Sequence, residues 1–417
     1  MKKEKGTFII KVRIFSITDI IMIGICVVLL FLTQSPFGSS NYPLLYTIYQ
    51  AIVFCICIFI IYKNRLKLTF DKQELYTYGL VLLPYVALMI ISIFQSQMSG
   101  SIALNTTLRE NFYPILMCLA AIVAYKFYKY KIVDIFFYAC CLNYIVYIFE
   151  FLKKFGFSGL LNFIAISDSA QIGEKILEVH EISFIFGLLL LYYILTWKKK
   201  KSLGKCIACA IGILLGYKRI LFFALFLTGI LYLFFNHKKS KKKTICYSIV
   251  LLTICAGWLF FVTSDLYYVV AMNLNIELNS RTFTNSGIYG RLNGYYTMSP
   301  TYFGHGIGFV QSIMTAYKER YNALTTGFHN DILKYYIDIG FIPWVLLFLN
   351  WTVLNARRIL KKYSTEKANK FLCLLGVTLF CWTTDNLASY PNYLFVQFFL
   401  FFSILLDKDD NIESLKQ

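Results

Sequence analysis

Charge is what this chain has least of. Only 15% of its 417 residues are Asp, Glu, Lys or Arg, while 58% are hydrophobic. A soluble domain of this length carries about a quarter charged residues, so the scarcity argues against one. Acidic residues are the scarcer sign, 22 against 41 basic, for a net charge of +19. Cysteine is absent from the polar segments: all twelve lie in apolar runs, which removes a disulfide framework. Cys206 and Cys209 have CxxC spacing, but no second pair or histidine shares their run, so they read as small apolar helix residues. Paired carboxylates are scarce in the polar loops, which contain neither a Gly-x-Ser-x-Gly elbow nor zinc-ligand spacing. Repeats at solenoid period and low-complexity tracts are also missing.

What the chain does have is apolar runs, at about 17–33, 44–62, 75–94, 112–125, 135–152, 181–197, 206–217, 220–235, 245–263, 333–353, 371–387 and 393–406. Most are long enough to cross a hydrocarbon core of about 30 Å as a helix, and they lack the two-residue alternation of a barrel strand. The fold class predicted is therefore all-α: a single polytopic membrane domain over 1–417 with about twelve spans. The basic N-terminus leads into the first run and reads as preceding an uncleaved span.

Lys and Arg fill every second gap. They precede the first run, follow the second, fourth, sixth, eighth and tenth, and recur in the tail, which places 30 of the 41 on one face. That face is the cytoplasm by the positive-inside rule, so both termini are predicted cytoplasmic. Segregation of this kind accounts for the net charge without a nucleic-acid partner. Only 32 residues separate Lys205 from Lys238. One span there would invert all later topology, so two short helices are predicted, their tip at Gly216-Tyr217-Lys218-Arg219 and their cytoplasmic ends extended by snorkelling lysines.

The outer loops then include 153–180, with an apolar patch at 155–166 suited to the interface plane, and 264–332, the largest polar block. Ionisable groups at membrane depth are functional by default, which singles out Lys218 and Arg219 as candidates to hold a lipid phosphate or pyrophosphate. Arg suits this role because its planar fork donates two hydrogen bonds to one phosphate. The loop 264–332 holds Arg281, Arg291, His305, Lys318, Arg320 and His329, two of the chain's four histidines among them. Histidine is the natural proton carrier near neutral pH, and with carboxylates scarce a general base falls to it. His329-Asn330-Asp331 stands just before the tenth run, at the outer mouth of the bundle. A solvated loop histidine is the bland alternative. The glycines around His305 permit close turns, but the strand and helix of a dinucleotide fingerprint are not expected there. Asp338, Asp385 and Glu150 lie in or near runs; a proton relay is open to them, with helix packing or loop anchoring weighing more.

Four segments together resemble the O-antigen polymerase and ligase superfamily, bacterial membrane glycosyltransferases of the Wzy and WaaL type. They are Ser286-Gly287-Ile288-Tyr289-Gly290-Arg291, then Pro300-Thr301-Tyr302-Phe303-Gly304-His305-Gly306-Ile307-Gly308, then Gly327-Phe328-His329-Asn330-Asp331-Ile332-Leu333, then Asp338-Ile339-Gly340-Phe341. The chain departs from the family in having Tyr217-Lys218-Arg219 where Ser-Arg is common, and a shorter spacing from Arg291 to Gly304 than typical ligases. The second departure favours a polymerase over a ligase.

The resemblance implies a metal-independent, cofactor-free enzyme of the bacterial inner membrane. Its substrate would be an oligosaccharide on undecaprenyl pyrophosphate. Arg219 and Arg291 would hold the pyrophosphate and His329 would be the catalytic base. Lys218 and Arg281 are further pyrophosphate candidates; His305, Asn330 and Asp331 are secondary site candidates. A flippase and a chain-length regulator are the partners it suggests. The alternatives are an O-antigen ligase and, from another class, a lipid-linked oligosaccharide flippase or secondary transporter. Against the transporter, no internal repeat or broken midplane helix pair is evident.

Overall fold

A computed structural model describes residues 16–34, 42–63, 69–100, 104–166, 179–196, 202–216, 218–237, 240–273, 292, 294–321 and 328–407. Every regular element among them is helical. The helices are α1 (Ile17–Gln34), α2 (Tyr42–Lys63), α3 (Lys72–Ser99), α4 (Leu104–Tyr128), α5 (Lys131–Ile166), α6 (His180–Leu195), α7 (Leu203–Gly216), α8 (Arg219–Asn236), α9 (Lys241–Val262), α10 (Asp265–Asn273), α11 (Phe309–Tyr321), α12 (Asp331–Ile339), α13 (Phe341–Leu349), α14 (Asn355–Lys362), α15 (Thr365–Cys381) and α16 (Pro391–Leu406). A π-helical turn at Asn350–Leu354 joins α13 to α14. Among the described residues, five segments are long and apolar enough to cross a membrane: Lys72–Ser99, Glu110–Tyr128, Lys131–Gly159, Arg219–Asn236 and Lys241–Val262. The protein is thus a helical membrane protein, with large apolar side chains such as Leu83, Phe94, Phe226 and Phe260 on its outside.

The helix ends meet in two separate layers. In one, Glu181 on α6 is wholly buried. Its carboxylate accepts from Thr33 Oγ1 at the end of α1 (2.6 Å), from the backbone N–H groups of Asn392 (2.6 Å) and Tyr393 (3.1 Å) opening α16, and from Asn392 Nδ2 (3.0 Å). Tyr49 of α2 donates to Asn392 Oδ1 at 3.0 Å. A buried carboxylate is tolerated only with such a full set of donors, and these satisfy the orphan N–H groups of a helix start at the same time. In the other layer, Glu74 forms a capping box with Asp71 and pairs with Lys126 (2.5 Å) and Lys129 (3.0 Å) at the end of α4. Lys205 pairs with Asp134, and Lys367 Nζ donates to the Asp407 carbonyl at 2.7 Å.

The chain between Gly216 and Arg219 breaks where the lysine spacing puts a tip. α7 lies against α6 and α8 against α15. The contact with α6 needs a residue without a side chain: a Cβ on Gly216 would stand 2.1 Å from Ser183 Oγ. Close backbone approach through small residues is the usual way membrane helices pack.

One expectation needs correction. The apolar run 333–353 is not one continuous helix. It breaks at Gly340 (φ 77°), so that α12 is a separate nine-residue helix ahead of α13. Within the polar block 264–332, α10 and α11 are helical. The break exists because Gly304 and Gly340 meet backbone to backbone: a Cβ on Gly304 would lie 2.4 Å from Gly340 N, and one on Gly340 2.3 Å from the Phe303 carbonyl carbon. Phe341 N donates to Tyr302 O at 2.9 Å across the same contact. Gln95 of α3 holds both strands of chain, donating to Ile339 O at 2.7 Å and to Phe303 O. The patch at 155–166 continues α5 beyond a non-helical Gly156 (φ 67°), with Phe157 exposed.

Candidate functional site

α12 positions the site. It starts at Asn330, whose side-chain oxygen accepts from Leu333 N at 3.0 Å as an N-cap. In its last turn, Asp338 anchors the glycine-rich loop, one of the two structural roles open to it from the sequence. The Asp338 carbonyl accepts from the N–H groups of His305 (2.8 Å) and Gly306 (2.6 Å). Its carboxylate accepts from Gly308 N (3.3 Å) and Val310 N (2.9 Å) at the start of α11, a negative charge at the positive end of a helix.

His329 immediately precedes this cap. Its side chain is 26% exposed, and its Nδ1 lies 3.6 Å from Asp385 Oδ1. That is an ion-pair distance and longer than a hydrogen bond, so Nδ1 has no hydrogen-bond partner among the described residues. Asp385 sits in the turn between α15 and α16, 6% exposed, and accepts from Asn386 N at 2.9 Å. Burial works against its charge, but the His329 contact and the positive charge of Lys218 prevail and bring its pKa down to about 2. Lys218, at the N-cap position of α8, is itself buried at 8% exposed. Two distant segments thus bring a histidine beside a carboxylate held ionised, with the charge of Lys218 acting on the same carboxylate. A carboxylate facing Nδ1 favours the tautomer that carries its proton there and leaves Nε2 as the basic nitrogen. The cluster can therefore accept a proton from a hydroxyl beside a fixed positive charge.

Asp331 follows on α12, fully buried, its Oδ2 accepting from Ala388 N at 2.7 Å. Burial pushes its pKa up to about 7, against the pull of Lys334 and the Ala388 N–H, with Asp385 and Asp338 adding to the rise.

The other candidates divide. Arg219 is exposed at the first position of α8, next to Lys218, and makes no hydrogen bond or ion pair among the described residues. His305 is held within its loop: its ring stacks on Phe309 at 4.0 Å and its Nε2 lies 2.9 Å from Tyr295 O. Asn330 caps a helix. Arg281 and Arg291 lie outside the described residues, as do the side chains of Lys318 and Arg320. Glu150 is exposed on α5. No group of three potential metal ligands occurs among the described residues.

Sequence reasoning missed Asp385 as the histidine's neighbour and missed Lys334, 9% exposed on α12, altogether. A lysine inside an apolar run was the available signal for the second. No protein-family model and no curated protein matches the chain.

Proposed function

We propose that this protein is a polysaccharide polymerase of the O-antigen, capsular or exopolysaccharide type. It transfers a glycan chain from undecaprenyl pyrophosphate onto a lipid-linked repeat unit at the outer face of the inner membrane. The observation that carries the reading is the approach of His329 to Asp385, a carboxylate that also feels the charge of Lys218, within segments that resemble the polymerase and ligase superfamily. Twelve spans with both termini cytoplasmic would put this pair outside, since Glu74, Lys126, Lys205 and Lys367 crowd the opposite layer.

In this reaction the anomeric C–O bond to the pyrophosphate breaks and a new glycosidic C–O bond forms to an acceptor hydroxyl. His329 Nε2 takes the proton of that hydroxyl, with Asp385 stabilising the imidazolium. Lys218, with Arg281 and Arg291, offsets the charge gathering on the departing pyrophosphate. Arg219, exposed beside Lys218, meets the anionic headgroup as the carrier arrives from the outer leaflet.

Deleting the gene and resolving lipid-linked and surface glycan on a gel tests the reading. A polymerase predicts arrest at a single repeat unit. Long chains still on the carrier lipid would mean a ligase, and units trapped at the cytoplasmic face a flippase.

A further inference from the structure

His329 and Asp385 come from separate segments and meet at 3.6 Å, so whatever holds the turn after α15 in place also sets that distance. Residues 385–390 first fold on themselves: Ser389 N donates to Asn386 O and Tyr390 N to Leu387 O, both at 3.0 Å. The turn is then fastened to its neighbours. Tyr113 of α4 donates to Ser389 O at 2.7 Å, and Lys334 Nζ to Ser389 Oγ at 3.4 Å. Ala388 N donates to Asp331 Oδ2 at 2.7 Å. Among these contacts the last joins the two segments that carry the pair, for Asp331 follows His329 by two residues and Ala388 follows Asp385 by three.

Asp331 is badly placed for stability alone. It is fully buried, and its Oδ1 has no partner among the described residues. A carboxyl buried with half its capacity unmet stabilises a fold poorly. What it supplies is an acceptor for Ala388 N, and with it the spacing of two loops. A second contact works inside the turn. The Tyr390 hydroxyl shares its hydrogen between Asn386 Oδ1 at 3.0 Å and Asp385 Oδ1 at 3.5 Å. Asn386 N donates to that same Asp385 oxygen at 2.9 Å, and it is the oxygen that faces His329 Nδ1. With both donors on one oxygen, the carboxylate cannot rotate without losing them. We propose that Asp331 and Tyr390 are positioning residues for the His329–Asp385 pair, Asp331 setting the distance between the two segments and Tyr390 the direction of the carboxylate. Their effect on rate rests on the polymerase reading; their effect on the imidazole does not. A displacement of about 1 Å in such a pair costs about a hundredfold in rate. The tie from Tyr113 stays in place when Asp331 is changed, so the turn shifts rather than unfolds.

The test uses the full-length protein in lipid nanodiscs, with two readouts. One is chain elongation on the lipid-linked repeat unit. The other is nitrogen-15 NMR of ring-labelled histidine, which reports the tautomer; the chain has four histidines, and His329→Ala assigns the signal. Asp331→Ala is expected to lower kcat by about tenfold or more, and Tyr390→Phe by about threefold or more, each with KM within about threefold of wild type. In both, the His329 ring is expected to move from the Nδ1–H pattern towards Nε2–H. Asp331→Asn lacks the charge but keeps an acceptor for Ala388 N, so it is expected to recover most of both losses. Wild-type kcat and ring spectrum in folded Asp331→Ala overturn the assignment of Asp331, as does an Asp331→Asn protein as impaired as Asp331→Ala. Should Asp331→Ala lack a cooperative melt, an unaltered kcat and spectrum in Tyr390→Phe overturn the proposal. A ring shift restored by Asp331→Asn in a protein whose wild type builds no polymer leaves the positioning role standing and overturns the polymerase reading instead.

Discussion

His329→Ala removes the basic nitrogen while leaving the cap at Asn330 and the anchoring at Asp338 in place. General base catalysis is worth about 10²–10⁴ in rate. A loss of chain elongation of that order is expected, with an unchanged melting profile, measured as polymer formed by purified protein. Normal long chains from this variant would sink the assignment of the base. Asp331 gives a second prediction, about pH. Its carboxyl titrates higher in the folded state, near 7, than in the unfolded chain, near 3.8. The folded state therefore holds the proton over that interval, and the stability this contributes is complete below about 4 and is lost as pH rises towards 7. Asp331→Asn, whose oxygen still accepts from Ala388 N, should raise the melting temperature relative to wild type more at pH 8 than at pH 5. Equal differences at the two pH values would refute it. At this scale sequence reading reached His329 and Lys218, because a histidine at a loop mouth and a cation between two apolar runs are both local signals. It did not reach the pairing of His329 with Asp385, since the turn after α15 comes beside α12 only through packing.

At the scale of elements, α12 with its flanking glycine contacts is the unit that organises the site. Gly340→Ala would force a side chain against the Phe303 backbone at a φ of 77°. Backbone cannot step aside as a side chain can, so a destabilisation of about 2 kcal/mol or more is expected. It should appear as faster proteolysis of the 294–308 segment; an unaltered cleavage pattern would count against the contact. The break between α7 and α8 could be read from lysine spacing, because the short distance between two clusters leaves no other topology. The break at Gly340 could not, because Leu333 to Val353 is an apolar stretch and periodicity does not register a tertiary contact. The glycines of the 304–308 loop were legible as turn formers, but their opponent at Gly340 was not.

For the molecule as a whole, the two layers of helix ends make a prediction about sides. Gly294→Cys, on the loop leading into the site, should react with a membrane-impermeant maleimide on intact cells. Ser364→Cys, at the N-cap of α15 beside the Lys367 layer, should react only after lysis. The opposite pattern would invert the proposed orientation. The all-helical class was legible throughout because lipid leaves the backbone few alternatives. The contacts that knit the bundle, such as Glu181 with Thr33 and Asn392, join segments too far apart in the chain for any spacing rule.

The meeting of Gly304 and Gly340 also has a genetic consequence. Most steric defects in a core can be relieved by trimming whatever the new side chain strikes. Here each glycine faces main-chain atoms, which every amino acid shares, so no second substitution can make room. A suppressor screen begun from Gly304→Ala should therefore return revertants at that codon and none at position 340, and the two positions should show no rescuing epistasis in a double-mutant library.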